Sequence, residues 1–384
     1  MAVKIFFSLC MSAVVYFFIV AGKSSPAEWI YAGFLMVLFV QMIRTGDFSK
    51  YRRIFQFTFA FLFAISFIGI LYDERGSMAI AEDSIQNSEI PFCHITIPLT
   101  MLPYFITKTV IFPARIIGHF ASVISMLLIW FIVTITIGRG WCSWVCFYGG
   151  WEDGVSRLSK KTRFRLLSYN KDIRAFQFAF LFFIILVSFA FLSSVYCEWF
   201  CPFKIVTEFS QITDIPGLIA TVMFIGLFLG LVIVMPFLTR KRFQCVSFCP
   251  FGAFQSFADR LSSFRISIDT DKCSGCMKCA SSCPFCAIDK DTITGKKGRP
   301  EITCAKCGEC IAVCPEKAIS YQFSFVRKGC SGPEAESKTG EIIQMFLEPG
   351  TLFLFSAFTF SVIISSKFGP DALMRIFSIF TGGL

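Results

Sequence analysis

Seven apolar stretches punctuate this chain, at about 5–22, 27–43, 54–72, 119–138, 175–195, 217–238 and 349–367. Each approaches the ~20 residues a helix needs to cross a bilayer, so membrane insertion constrains the fold before any local propensity does. Charged residues make up only 16% of the chain, against about 25% in soluble domains, which excludes one water-soluble globule. Phe occurs 50 times, and runs such as Phe176, Phe178, Phe180, Phe182 and Phe183 are expected to face lipid or pack between helices. The first stretch follows Lys4 but exceeds the ~7–15 apolar residues of a signal peptide, so it reads as an uncleaved span.

Charge gives the orientation. Arg44, Lys50, Arg52 and Arg53 fill one loop; Arg139, Arg157, Lys160, Lys161, Arg163, Arg165, Lys171 and Arg174 fill another; Arg240, Lys241 and Arg242 follow the sixth span. By the positive-inside rule all three are cytoplasmic, and they account for the net charge of +10 without a nucleic-acid partner. The acidic loop 73–98 (Asp73, Glu74, Glu82, Asp83 and Glu89 against Arg75) and the segment 196–214 belong outside. Residues 99–116 are apolar but hold Pro103, Lys108 and Pro113. If they crossed, the later basic loops would lie outside, so they read as re-entrant or interfacial. The expected architecture is a polytopic α-helical protein of the cytoplasmic (inner) membrane, N-terminus inside and C-terminus outside. Residues 1–238 form a membrane domain with six spans. Residues 239–345 form a cytoplasmic two-cluster, bacterial ferredoxin-like α+β domain. Residues 346–384 supply the last span and a short outer helix at 371–380.

Eighteen Cys do not suggest a secreted disulfide framework, because most sit at metal-ligand spacings. Cys273-Ser-Gly-Cys276-Met-Lys-Cys279-Ala-Ser-Ser-Cys283-Pro284 and Cys304-Ala-Lys-Cys307-Gly-Glu-Cys310-Ile-Ala-Val-Cys314-Pro315 are two matching runs. In such runs three Cys wrap one [4Fe–4S] cube and the fourth, before Pro, reaches the other cube. Cys273, Cys276, Cys279 and Cys314 are therefore expected on one cluster, and Cys304, Cys307, Cys310 and Cys283 on the second. Gly275 and Gly308 let the backbone approach sulfur. The competing reading is zinc. Cys286 is expected to be buried packing; Cys330 and Cys10 have no partner spacing.

Cys-x3-Cys occurs three more times, each after an apolar stretch: Cys142 and Cys146, Cys197 and Cys201, Cys245 and Cys249. On a helix, i and i+4 share a face, so each pair can grip a metal, a cluster edge or a disulfide. Trp141, Trp144 and Trp199 suit the membrane interface. Cys142, Cys146, Cys245 and Cys249 are expected at the cytoplasmic edge, where four thiols can assemble one further iron–sulfur site. Cys197 and Cys201 are expected at the outer edge, within reach of Cys93 and His94. That outer site can be iron–sulfur, a mononuclear metal, a redox-active dithiol or a structural disulfide. His94 and His119 are the only histidines, too few for haems at both faces. His119 reads as interfacial and Lys108 as snorkelling. No Walker motif, Gly-rich nucleotide loop or hydrolase triad is present.

Gly138-Arg-Gly-Trp-Cys142-x3-Cys146, Cys197-x3-Cys201-Pro202, Arg242-Phe-x-Cys245-x3-Cys249-Pro250-x-Gly252-Ala253 and the paired four-Cys runs resemble the membrane polyferredoxins of the NapH/NosR/CcoG type. The resemblance spans about 120–320. It implies electron transfer between quinol or cytoplasmic carriers and a periplasmic or membrane redox protein, with a quinone as a further cofactor. Phe147 stands where the family has Pro. The NosR-like flavin domain and the CcoG-like immunoglobulin-like domain find no counterpart, so the resemblance runs to the compact NapH-like architecture. A metal-ion reductase or maturation factor using the outer Cys and His is the alternative, and whether the chain turns over a substrate itself is left open.

Overall fold

A computed structural model describes residues 2–23, 25–73, 89–91, 98, 120–159, 161–164, 170–191, 195–203, 215–295, 298–325 and 346–381. Segment 99–116, Cys93, His94, Lys108, His119 and Cys330 lie outside the described residues.

The chain opens with α1 (Ala2–Val15), which continues as one π-helical stretch, Tyr16–Val20, before α2 (Pro26–Thr45) and α3 (Phe48–Asp73). Local chemistry sets the boundaries. The Ser25 side chain accepts from the Ala27 N–H at 3.2 Å, with Pro26 in the first turn. Gly46 ends α2 at φ +73°, its N–H donating to the Met42 carbonyl, a conformation glycine adopts without penalty. Asp47 then accepts from the Lys50 N–H at 3.1 Å and starts α3.

Strands β1 (Glu89–Pro91) and β2 (Phe120–Ser122) pair antiparallel, Pro91 opposite Phe120. Helix α4 (Val123–Thr136) follows directly. A span was expected over 119–138; α4 has 14 residues and rises ~21 Å, short of the hydrocarbon core. It ends because Ile137 and Gly138 (φ +55°) both donate to the Val133 carbonyl. Next come α5 (Gly140–Trp144), α6 (Phe147–Leu158), α7 (Asn170–Phe191) and a second π-turn, Tyr196–Phe200. Helix α8 (Ile215–Leu227) passes through a third, Phe228–Val234, into α9 (Met235–Thr239). This π-turn precedes Pro236, whose ring and missing N–H disturb the helical ladder. After α10 (Phe243–Ser247) and α11 (Pro250–Ala258) come β3 (Phe264–Ile268), α12 (Lys278–Ser282), α13 (Lys290–Thr294), α14 (Glu309–Ala312) and β4 (Ile319–Phe323). Strands β3 and β4 pair antiparallel, Phe264 opposite Phe323 and Ile268 opposite Ile319.

Among the described residues, six helices are long and apolar enough to cross a membrane: 3–20, 26–45, 48–69, 170–191, 221–239 and 349–380. The last, α15 (Pro349–Phe380), runs through Pro370 without a break. A span to 367 and a separate outer helix at 371–380 were expected; the two are one helix, with Ser66 on α3 donating to Asp371 at 2.5 Å and Arg375 pairing with the same carboxylate at 2.9 Å. Segment 243–258 was expected in the ferredoxin domain. Instead α10 and α11 pack on α7, and Trp130 of α4 donates to Gln255 at 2.8 Å. Both four-Cys runs lie between β3 and β4.

Helices α3 and α6 meet closely because α6 presents glycine to α3. A Cβ at Gly150 would collide with the Gln56 carbonyl and with Ala60, whereas one at Gly33, on the exposed face of α2, would meet nothing within 4 Å. We expect Gly150→Leu to lower unfolding free energy by roughly 1–3 kcal/mol, read as a lower thermal midpoint in detergent. Gly33→Leu should leave the midpoint in place.

Candidate metal centres

Two cavities are ringed by the two four-Cys runs. Cys273, Cys276, Cys279 and Cys314 line one, with Met277, Lys278 and Glu316 at its mouth. Cys283, Cys304, Cys307 and Cys310 line the other, with Phe285 and Ile266. Each run therefore sends its fourth Cys into the cavity of the other. The loops repeat one backbone device. Gly275 and Lys306 occupy equivalent places and both have positive φ (71° and 51°), as do Met277 and Gly308 (59° and 77°). The N–H of Ala287 points at the Cys283 Sγ at 3.4 Å and that of Ala318 at the Cys314 Sγ at 3.3 Å. Burial pushes the Cys304 thiol up to about 12 and Cys307 to about 11, so iron must displace protons to bind there. Among the described residues, no three His, Cys, Asp or Glu side chains close on a point as they would around a single metal ion. Sulfur-lined cavities with N–H groups aimed at sulfur fit iron–sulfur cubes.

The cysteines of the two cavities differ in exposure: Cys283, Cys307 and Cys310 are buried. Cys276 is exposed. The second cavity is closed against the membrane helices by its own loop. Ser143 donates to the Ala305 carbonyl and Trp144 Nε1 to the Lys306 carbonyl at 3.2 Å. The buried Lys306 ammonium reaches Asp259 at 2.6 Å, Ser262 at 2.8 Å and the Ile137 carbonyl at 3.1 Å. Trp144, expected at the membrane interface, is thus fully buried in this seam, and Phe353 of α15 packs against it and against Tyr321. Cys286 is fully buried, and its carbonyl accepts from Arg174 at 2.9 Å.

Basic residues that marked loops as cytoplasmic carry the docking. Arg53 and Arg157 pair with Glu309 at 2.8 and 3.1 Å. Arg174 pairs with Asp289 at 2.7 Å. Burial raises the Asp289 carboxyl, but hydrogen bonds from Arg174 and Thr292 outweigh it and hold it at about 2. Lys241 plugs the C-terminus of α12, reaching the carbonyls of Cys283, Ser281 and Ala280 at 2.5, 3.1 and 3.4 Å.

The three remaining Cys pairs do not lie along single helices, as their spacing suggested. Cys142 and Cys245 sit inside short helices, while Cys146 and Cys249 are extended N-caps of the next ones (ψ 112° and 111°). Cys201 has the same conformation (ψ 110°), as does Cys283 (ψ 112°). Pro after Cys201, Cys249 and Cys283 disfavours helix at the preceding residue. Cys146 adopts the same shape before Phe147, so the missing Pro does not alter the first pair.

The fold brings Cys142, Cys146, Cys245 and Cys249 together. Their thiols act on one another electrostatically: Cys146 with Cys142 and Cys249, Cys245 with Cys249 and Cys146. Burial pushes all four up, opposed at Cys142 by Arg139 and Arg242. Around them lies a buried polar knot. Arg52 and Arg242 share Asp153, at 2.9 and 3.5 Å. Arg242 also donates to the Cys142 carbonyl and to Gln56, each at 2.6 Å. Glu152 accepts from the Gln244 and Cys245 N–H groups at 2.7 and 3.1 Å. Composition hid this knot; its trace was Arg139, Glu152, Asp153 and Arg242 standing close to Cys pairs.

Cys197 and Cys201, expected at the outer edge, lie in a segment that packs beside the middle of α7. Beyond α7 the chain folds back into the bundle: Tyr196 and Phe200 pack on Phe180, halfway along α7, and Phe203 packs on Tyr148. Tyr196 accepts from Gln244 at 3.0 Å, and its hydroxyl lies in electrostatic range of Cys201, Cys249 and Cys197. Loop assignment from charge places a segment on a side but cannot detect such a return.

The 4Fe-4S binding domain family matches residues 119–165, 175–212 and 220–269, one Cys-x3-Cys pair in each stretch. The 4Fe-4S dicluster domain family matches 272–319. This chain belongs to the NapH-like polyferredoxins. It is 26% identical to the ferredoxin-type protein NapH of Haemophilus influenzae over 221 residues, covering 56% of this chain and 73% of that protein. It is 30% identical to an uncharacterized protein of Methanocaldococcus jannaschii over 198 residues, half of this chain and 67% of that protein. A ferredoxin of Pyrobaculum islandicum is 35% identical over 79 residues, 20% of this chain and 64% of that protein. No solved structure matches the chain significantly. This polyferredoxin is thus an iron–sulfur electron-transfer protein of the membrane, and the three family matches turn the Cys pairs into one repeated unit, an apolar helix followed by Cys-x3-Cys.

Lys241→Met should leave three carbonyls at the end of α12 without their donor. We expect a loss of about 1–3 kcal/mol in docking of the cluster domain, read as faster amide hydrogen exchange across 278–290 with the membrane helices unchanged.

Proposed function

We propose that this polyferredoxin conducts single electrons between the cytoplasmic face of the inner membrane and a redox partner reached through its helical bundle. The observation that carries the reading is the exchange of fourth cysteines between two cavities whose cysteines differ in exposure, Cys276 exposed in one and Cys283, Cys307 and Cys310 buried in the other. Two bound [4Fe–4S] clusters supply the one-electron chemistry. Cys273, Cys276, Cys279 and Cys314 would hold the outer cluster, and Cys304, Cys307, Cys310 and Cys283 the inner one. Exposed Cys276 leaves an edge that a soluble electron carrier can approach. Trp144 and Lys306 hold the inner loop against the membrane helices, so an electron leaving it enters the bundle.

The cytoplasmic assignment rests on charge. Arg53, Arg157, Arg174 and Lys241, all in loops that the positive-inside rule places inside, are also the residues that grip the cluster domain. The partners this reading calls for are a cytoplasmic carrier or the quinol pool on one side and a periplasmic or membrane redox protein on the other. The name of its relative, a ferredoxin-type protein, supports the same chemistry.

Two measurements test it. Cys276→Ala and Cys307→Ala should each remove about four iron atoms per chain and abolish one of two distinct low-potential paramagnetic signals. Loss of both signals in either variant, or parental iron in both, would overturn the ligand sets. Reporter fusions after Gly340 and within 76–88 should report opposite sides of the membrane; same-side signals would overturn the orientation.

A further inference from the structure

We propose that Cys142, Cys146, Cys245 and Cys249 hold a third iron–sulfur cluster of the cubane type, with Arg139 as the cation that neutralises it. The inference deepens the electron-conduit reading, on which only the cluster's role depends. Its sequence basis is a repeat: Arg139-x2-Cys142-x3-Cys146-x2-Gly149 and Arg242-x2-Cys245-x3-Cys249-x2-Gly252. Each copy sets its first Cys in a short helix and its second at the N-cap of the next. The glycine three residues on turns its N–H to the sulfur, Gly252 to Cys249 at 3.4 Å and Gly149 to Cys146. A side chain at either glycine would press on the carbonyl of the first Cys of its own copy, Cys142 or Cys245. The arrangement matches the ferredoxin ligand Cys283, which has the same extended backbone and also receives an N–H.

Arg139 says what kind of ligand belongs there. It is fully buried, and among the described residues its guanidinium finds no oxygen acceptor; its side-chain contact is with the Cys142 sulfur. Its charge falls on the Cys142 thiol, together with that of Arg242. Arg242 and Arg52 already share the Asp153 carboxylate, and Glu152 also acts on Arg242; with Arg139 that sets three buried guanidiniums against two carboxylates. A group held by four thiolates and carrying acceptor sulfides supplies the missing anion. A mononuclear ion does not fit, because no three of these donors close on a point.

The position also suits transfer. Phe285 lines the cavity of Cys283, Cys304, Cys307 and Cys310. The same ring carries the guanidiniums of Arg242 at 5.0 Å and Arg139 at 5.9 Å. One aromatic side chain and two arginines therefore separate the inner ferredoxin site from the four-thiol site. A single electron moving across oxidises one cluster and reduces the other, with no bond made or broken. The middle pair lacks the repeat: Ser194 and Lys204 stand where the other copies have Arg and Gly.

The test uses the full-length protein purified anaerobically in detergent. Iron and acid-labile sulfide should each reach about twelve per chain, and reductive titration should resolve three paramagnetic signals. The double variant Cys146→Ser/Cys249→Ser should fall to about eight iron and keep both ferredoxin signals, with unchanged gel-filtration behaviour to show that it folds. Arg139→Gln should keep all the iron but lower the midpoint potential of the third signal alone, and Arg139→Lys should restore part of the shift. Parental protein with about eight iron, with or without one bound zinc, overturns the third cluster while leaving the two-cluster conduit standing. Full iron in Arg139→Gln with no potential moved overturns the part assigned to Arg139.

Discussion

Asp153 binds two arginines at once, and the rest of the molecule is arranged around that contact. Arg52 comes from α3, Arg242 from the turn after α9, and Asp153 from α6. Three segments far apart in sequence therefore meet at one buried carboxylate. Its carboxyl is held well below the ordinary range: burial raises it, and the two guanidiniums outweigh that. Removing one member of such a buried set costs about 3–5 kcal/mol, because the others cannot find water. The same arginines donate to backbone carbonyls of the Cys-bearing turns, to Ser143 from Arg52 and to Cys142 from Arg242. The charge knot thus fixes the sulfur atoms by fixing the peptide groups beside them.

This arrangement gives the basic loops a second meaning. Lys and Arg at the cytoplasmic ends of helices are commonly read as topology signals only. Here Arg53, Arg157, Arg174 and Lys241 are spent on Glu309, Asp289 and the carbonyls ending α12. A cluster domain that docked by apolar surface alone could slide. One pinned by paired charges and by Lys306 inside the Ile137–Asp259–Ser262 pocket has a single register, which electron transfer between fixed cofactors requires.

Much of this was legible in the sequence, and the parts that were not share a cause. The four-Cys runs follow a spacing rule that belongs to the cluster, so their gathering into two cavities could be read before any fold was known. Six of the seven expected spans correspond to long apolar helices for the same reason of length and hydropathy. Three features escaped. The break inside each Cys-x3-Cys pair is a backbone preference imposed by the residue after the second Cys, and a helical-face argument overlooks it. The return of Cys197 and Cys201 into the bundle depends on Phe200 finding Phe180 and Phe203 finding Tyr148, contacts without a periodic signature. The continuity of α15 through Pro370 depends on Ser66 and Arg375 engaging Asp371, a tertiary tie that local propensity cannot anticipate.

Three copies of one unit give one four-thiol site and one separate pair, and the difference lies in two residues per copy. A glycine three residues after the second Cys allows the chain to close over the sulfur, and an arginine three residues before the first Cys would supply charge to the proposed cluster. The first and third copies have both, face each other, and share Phe285 with the ferredoxin domain. The middle copy has neither. It is held instead by aromatic packing and by the Tyr196–Gln244 hydrogen bond, next door to Cys245. Its thiols stand beyond the four-thiol site as seen from the ferredoxin domain, deeper along α7. Charge compensation in a dry interior, more than the count of cysteines, decides where a multiply anionic cofactor can be built, and of the three copies only the first and third carry the arginine that the proposed cluster calls for.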